Sequence, residues 1–136
     1  METFFKWQLP SRTEARQAQK AAQAANWREV CREVNARDGF CCRVCGRRTN
    51  PHAASMLEKG HHHHIEYRSK GGMDVAENVC LLCPTCHEQV HRGGLRIETA
   101  TPSGANGALV FFKIDREDNR WFVWKREKAI HEIERD

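Results

Sequence analysis

Two short cysteine pairs constrain this chain more than any other feature. Cys42-x-x-Cys45 and Cys83-x-x-Cys86 each have the spacing with which a tight turn offers two thiolates to one ion. Together the pairs supply four sulfurs, enough for a closed tetrahedral site. Cys41 would need the less usual three-residue spacing to Cys45, and Cys80-x-x-Cys83 is a competing pair. Cys80, however, sits inside the apolar run Val79-Cys80-Leu81-Leu82, which reads as a buried strand. Cys83 and Cys86 instead flank a helix start, where Pro84 suits the first position because its missing N–H costs nothing there. The expected ligands of a structural Zn²⁺ are therefore Cys42, Cys45, Cys83 and Cys86. A chain of 136 residues has room for one modest core, and such a staple suits it. Seven cysteines in this pattern point to metal rather than disulfides, and so to a reducing, cytoplasmic setting.

Between the pairs and just beyond the second lies another concentration of chemistry. The helix begun at Pro84 runs through His87 and His91 and is stopped by Gly93-Gly94. His87 and His91 are i and i+4, so both imidazoles share a face and can present nitrogens to one ion. Upstream stands a run of four histidines, His61 to His64, followed by Ile65 and Tyr67, which suggest an earlier strand. His61 and His62 are expected in the loop before it. Arg68 to Glu77 is a polar loop containing Gly71-Gly72. The unit reads strand, loop, strand, helix.

This arrangement resembles the HNH endonucleases, also called ββα-metal or His-Me finger nucleases. The matching residues are His63-His64-Ile65, Arg68-Ser69, Gly71-Gly72, Asn78, Cys83-x-x-Cys86-His87 and His91, across about residues 40 to 94. The resemblance implies that His64 is the general base and that His63, His87 and His91 hold a catalytic divalent ion. It implies that Asn78 either orders the base across the loop or contacts the ion. Three imidazoles suit Zn²⁺, Ni²⁺ or Mn²⁺ better than Mg²⁺. The implied reaction is metal-dependent hydrolysis of DNA phosphodiesters, leaving 5′-phosphate and 3′-hydroxyl ends. Arg68 is a candidate phosphate contact that could equally pair with Glu66 or Asp74. Two alternatives stay open: a zinc-stabilised DNA-binding module without catalysis, and an RNA-directed nuclease with the same site.

The remaining chain is read more coarsely. Net charge is +4, but residues 1–50 carry ten Lys/Arg against five Asp/Glu, while residues 51–136 carry twelve against thirteen. A basic amino-terminal portion fits a phosphate backbone. Ser11 and Glu14 form a capping box for a helix over residues 12–25. Its apolar residues are almost all alanine, and Arg12, Arg16 and Lys20 share one face as candidate DNA contacts. Asn26 is expected to cap a second helix, Trp27 to Arg37, with Trp27, Val30, Cys31 and Val34 as its apolar stripe. Strands are expected at Leu95–Glu98, Leu109–Ile114 and Trp121–Trp124, then a charged tail helix from Arg126. The expected fold is α+β: an amino-terminal arm (residues 1–26), a zinc-braced nuclease domain (27–94), and a β-meander with tail (95–136). No apolar stretch is long enough to span a membrane, and the opening residues do not make a signal peptide.

Overall fold

The computed structural model describes residues 9–128. The first helix, α1, spans Arg12–Arg37 without interruption. Its start is the expected capping box, with Ser11 Oγ accepting from the Glu14 N–H (3.1 Å) and Glu14 accepting from the Ser11 N–H (3.2 Å). Asn26 does not cap a second helix. It lies inside α1, and its side-chain amide donates to the Asp74 carbonyl (3.2 Å). Residues 12–26 are exposed throughout, and packing begins at Trp27, Val30 and Val34. Cys31 is half-buried beside them.

Two small antiparallel sheets follow. In the first, β1 (His61–His64) pairs with β2 (Val79–Leu82), with His61 opposite Leu82 and His64 opposite Val79. The histidines are thus the strand itself; Ile65 and Tyr67 follow it, and His61 and His62 are strand residues rather than loop. Helix α2 spans Pro84–His91, with Cys83 as its cap, and completes a ββα unit. Beyond it, β3 (Leu95–Thr99), β4 (Leu109–Asp115) and β5 (Arg120–Arg126) form a three-stranded meander in that order. The expected tail helix does not start at Arg126, which ends β5; residues 129–136 of that expected helix lie outside the described residues.

Strand β2 is buried on both faces. Val79 and Leu81 pack with Val30 and Val34 of α1, and Cys80 and Leu82 join a larger cluster including Val90, Leu95, Ile97, Leu109 and Phe111. The hairpin is therefore a middle layer between α1 and the remainder of the unit.

Asp38, just past α1, ties the layers together. Its side chain is 1% exposed and accepts from Arg37 (2.8 and 3.0 Å), from Arg43 (2.9 Å) and from the Leu81 N–H (3.0 Å). Arg43 also reaches Glu127 beyond β5 (2.6 and 2.9 Å) and the carbonyls of Ala105 and Gly107. Arg37 donates to the Ala76 and Val79 carbonyls, each at 2.6 Å. Removing one member of a buried charged network leaves the others unpaired. Asp38→Ala should cost about 3 to 5 kcal/mol in urea unfolding; a loss of about 1 kcal/mol or less would class the network with surface ion pairs.

Candidate active site and metal centre

Four thiols meet where the knuckle after α1 approaches the start of α2. The Sγ atoms of Cys42, Cys45, Cys83 and Cys86 all lie within 4.8 Å of one another, and those of Cys45 and Cys83 are 3.7 Å apart. Tetrahedral zinc with bonds of about 2.3 Å would set its sulfurs about 3.8 Å apart, so the donor set and spacing fit. Cys80 stays out of the cluster: it is fully buried in β2, and burial pushes its thiol up to about 12. Cys41 pairs with Arg48 through a backbone bridge and is also outside it. Burial, and then the neighbouring Cys42 and Cys83, push the Cys86 thiol well up when no cation is present. A cation at the centre reverses that preference, because thiolates are the ligand form. The cluster can therefore couple metal binding to folding.

The histidines divide by strand parity. His61 and His63 face α2: the His61 ring lies 4.6 Å from His87, and His63 lies 5.8 Å from His87 and 6.4 Å from His91. One turn apart on α2, His87 and His91 bring their Nε2 atoms to 2.9 Å of each other. His63 thus lies on the same side as His87 and His91 but further off than the close helix pair, and among the described residues only the four thiols have their ligand atoms all within 4.8 Å of one another. Burial, then the His87 and His91 imidazoles, lower His63 to about 4; burial, then His61 and His91, lower His87 to about 4. Both rings are neutral near pH 7, so their lone pairs are open to a cation without first losing a proton. His61 is drawn into the same face, and its buried Nε2 has no hydrogen-bond partner among the described residues.

The other parity faces α1. The His62 Nε2 lies 2.7 Å from Asn35 Oδ1, and burial lowers its proton affinity. The His64 ring stacks on Trp27 at 4.8 Å and 13°. Its Nε2 lies 2.7 Å from Asp74 Oδ1. Arg68 forks onto the same carboxylate (2.8 and 3.1 Å) and lies over the Trp27 ring. Arg68 first, and then His64, hold Asp74 below the usual carboxylate range against the opposing effect of burial. Sequence reasoning considered Asp74 only as a partner for Arg68 and missed its contact with His64; a lone acid in a loop has no spacing rule to mark it.

Asn78 clamps the intervening loop. Its Oδ1 accepts from the Glu66 N–H (2.8 Å), and its Nδ2 donates to the carbonyls of Glu66 and Met73 (both 3.0 Å). The clamp crosses the loop from the start of β2. Gly72 is required where the loop doubles back, since a Cβ there would meet the Glu66 carbonyl oxygen at 1.8 Å. Arg12, Arg16 and Lys20 are exposed on α1. Lys20 lies on the rim of a surface hollow that also includes Trp27, Arg68 and Asp74.

Residues 42–93, which contain both cysteine pairs, β1, β2 and α2, match the family model of the HNH endonucleases. The chain is also 30% identical over 71 residues to anaredoxin from Nostoc sp., an alignment covering 52% of this chain and 83% of that protein. No solved structure matches.

Paired substitution Cys42→Ser and Cys83→Ser removes half the ligand set. Elemental analysis should find one tightly held metal ion in the parent and none in the purified variant, which should also lose its cooperative unfolding transition. A folded, metal-free double variant would rule out the staple.

Proposed function

The chain belongs to the HNH endonuclease family, and from that premise we propose that it is a metal-dependent DNA endonuclease that hydrolyses phosphodiesters to 5′-phosphate and 3′-hydroxyl ends. The observation that supports the reading is that His63 of β1 lies on the same side as His87 and His91 of α2, its ring 5.8 and 6.4 Å from theirs, beside a separately held His64. A structural zinc on four cysteines needs none of these imidazoles.

In this reading His63, His87 and His91 would hold the catalytic ion. Three imidazoles suit Zn²⁺, Ni²⁺ or Mn²⁺ better than Mg²⁺. When bound, such an ion supplies positive charge to the scissile phosphate and to the leaving oxygen. His64 is the base. Asp74 accepts from its Nε2 and fixes the tautomer, which leaves Nδ1 as the atom that takes a proton from water. Trp27 holds the ring from one side by stacking. Asn78 keeps the Glu66–Met73 loop, and with it Arg68 and Asp74, in register with the strand. Arg68 is already committed to Asp74, so its guanidinium would meet phosphate only through the donors it has left.

The exposed face of α1 is the proposed DNA arm. Its support is continuity: Lys20 borders the hollow that contains Trp27, Arg68 and Asp74, so the basic stripe leads to the His64 side of the hairpin. Charge reversal at Arg12, Arg16 and Lys20 should weaken DNA binding and flatten the dependence of log affinity on log salt. An unchanged slope would take the arm out of the interface.

Base and ligand roles separate under single-turnover plasmid cleavage. His64→Ala should lower the rate by about 10² to 10⁴-fold with metal affinity nearly intact. His91→Ala should instead weaken metal binding and recover partly in excess metal. Parental cleavage by His64→Ala, alongside an inactive His62→Ala, would place the base elsewhere in the run.

A further inference from the structure

On the far side of β1 from α1, a cleft of about 620 Å³ opens from His63 and extends over β3 to Trp121. That volume lies within the range of about 300 to 1,000 Å³ typical of sites for small organic groups. Its floor is apolar, with Ile65, Leu95 and Ile97. Two aromatic rings border it: Tyr67, 42% exposed and edge-on to His63 at 5.9 Å, and Trp121, 39% exposed on β5.

The charges at this cleft decide what it suits. Lys70 and Arg96 are balanced by Glu66 and Glu98, and Arg96 is already paired with Glu98 at 2.6 Å. A track for the phosphate backbone needs surplus positive charge, and this cleft has none. A nucleobase has the opposite needs: a slot with no net charge, some apolar surface and π-faces to stack on. The cleft also begins at His63, so a group seated in it lies beside the proposed scissile phosphate rather than at a remote surface.

We propose that this cleft receives an unpaired nucleobase next to the scissile phosphate, stacked on Tyr67 and Trp121, so that the substrate is DNA with a single-stranded or locally opened segment. This rests on the nuclease reading of the histidine site. Within a duplex each base is stacked and paired and cannot enter without being extruded, at a cost that an unpaired base does not incur. The exposure of two aromatic side chains at the mouth of a polar-rimmed cleft then has a use that packing alone does not give it.

The test is binding of the full-length protein, with no added divalent ion, to a short oligodeoxynucleotide carrying a fluorescent adenine analogue. The same strand is offered single-stranded and as a perfect duplex. Trp121→Ala should weaken single-strand binding about tenfold, as expected for one lost base–aromatic stack, and leave duplex binding unchanged. Tyr67→Ala should act in the same direction, and Trp121→Phe should restore most of the loss. Trp124→Ala is the control: it lies on the same strand but borders the cysteine cluster rather than this cleft. The proposal is overturned if Trp121→Ala and Trp124→Ala behave alike, or if single-strand and duplex binding fall together. Cleavage is scored separately. A parent that cuts plasmid while its Trp121→Ala variant keeps full single-strand affinity loses the cleft and keeps the nuclease. A parent that cuts nothing, with selective loss of single-strand binding in Trp121→Ala, loses the nuclease and keeps the cleft.

Discussion

The molecule depends on a four-residue strand that is buried on both faces. β2 has apolar or thiol side chains at every position, so it needs cover on each side, and α1 and the meander supply it. Its register is held by more than packing, because Asp38 accepts the Leu81 N–H while anchoring Arg37 and Arg43. Antiparallel partners point to the same face. Once Val79 and Leu81 are committed to α1, His64 and His62 opposite them must face α1 too. His61 and His63 are then forced toward α2. The division of the histidine run into two chemical environments is therefore a consequence of where β2 buries its side chains.

β1 could not have imposed this order itself. It has no apolar residue, and His63 is its one buried member. A strand with so little to bury gains almost nothing from solvent exclusion, so its placement depends on neighbours. The Ile65 N–H extends the pairing to the Asn78 carbonyl (2.8 Å), and the Asn78 side chain closes the loop above. On the opposite side, the four-thiol cluster ties the knuckle to the cap of α2, while Arg43 and Glu127 tie the same knuckle to the end of the meander. The knuckle carries both ties, so losing either would loosen the helix that presents His87 and His91.

The features legible in the sequence are those with a spacing rule. Paired CxxC motifs, Pro84 at a helix start, the i and i+4 histidines and the apolar run of β2 each have a geometric meaning, and the structure places them in one ββα unit and the knuckle that meets it. The misread features lack such a rule. Four identical residues show no alternation, so periodicity does not reveal β1, and Ile65 and Tyr67 carry the stronger strand signal. Asn26 resembles a cap in isolation, but its helix propensity falls only several tenths of a kcal/mol below alanine's, too little to break a helix packed from Trp27 onward. Glu127 looked like part of a charged tail; its partner Arg43 lies 84 residues away, and no local pattern connects them.

Parity also bears on how the proposed chemistry is kept in order. Neighbouring imidazoles on a flexible loop would compete for the same ion, and a base captured as a ligand loses the lone pair it needs. Here adjacent strand positions point apart, so His63 and His64 cannot both become ligands of one ion without breaking the pairing. Trp27 and Asp74 hold His64 in place on its own side. The risk in a run of four histidines is a slip of one residue, which would turn His62 toward α2 and His63 toward Trp27. Nothing in β1 opposes that slip, because every residue in it is the same. Register must be set outside the strand. Asn78, which engages the Glu66 backbone on both sides, and Gly72, which alone allows the loop to close against Glu66, are the two elements placed to set it.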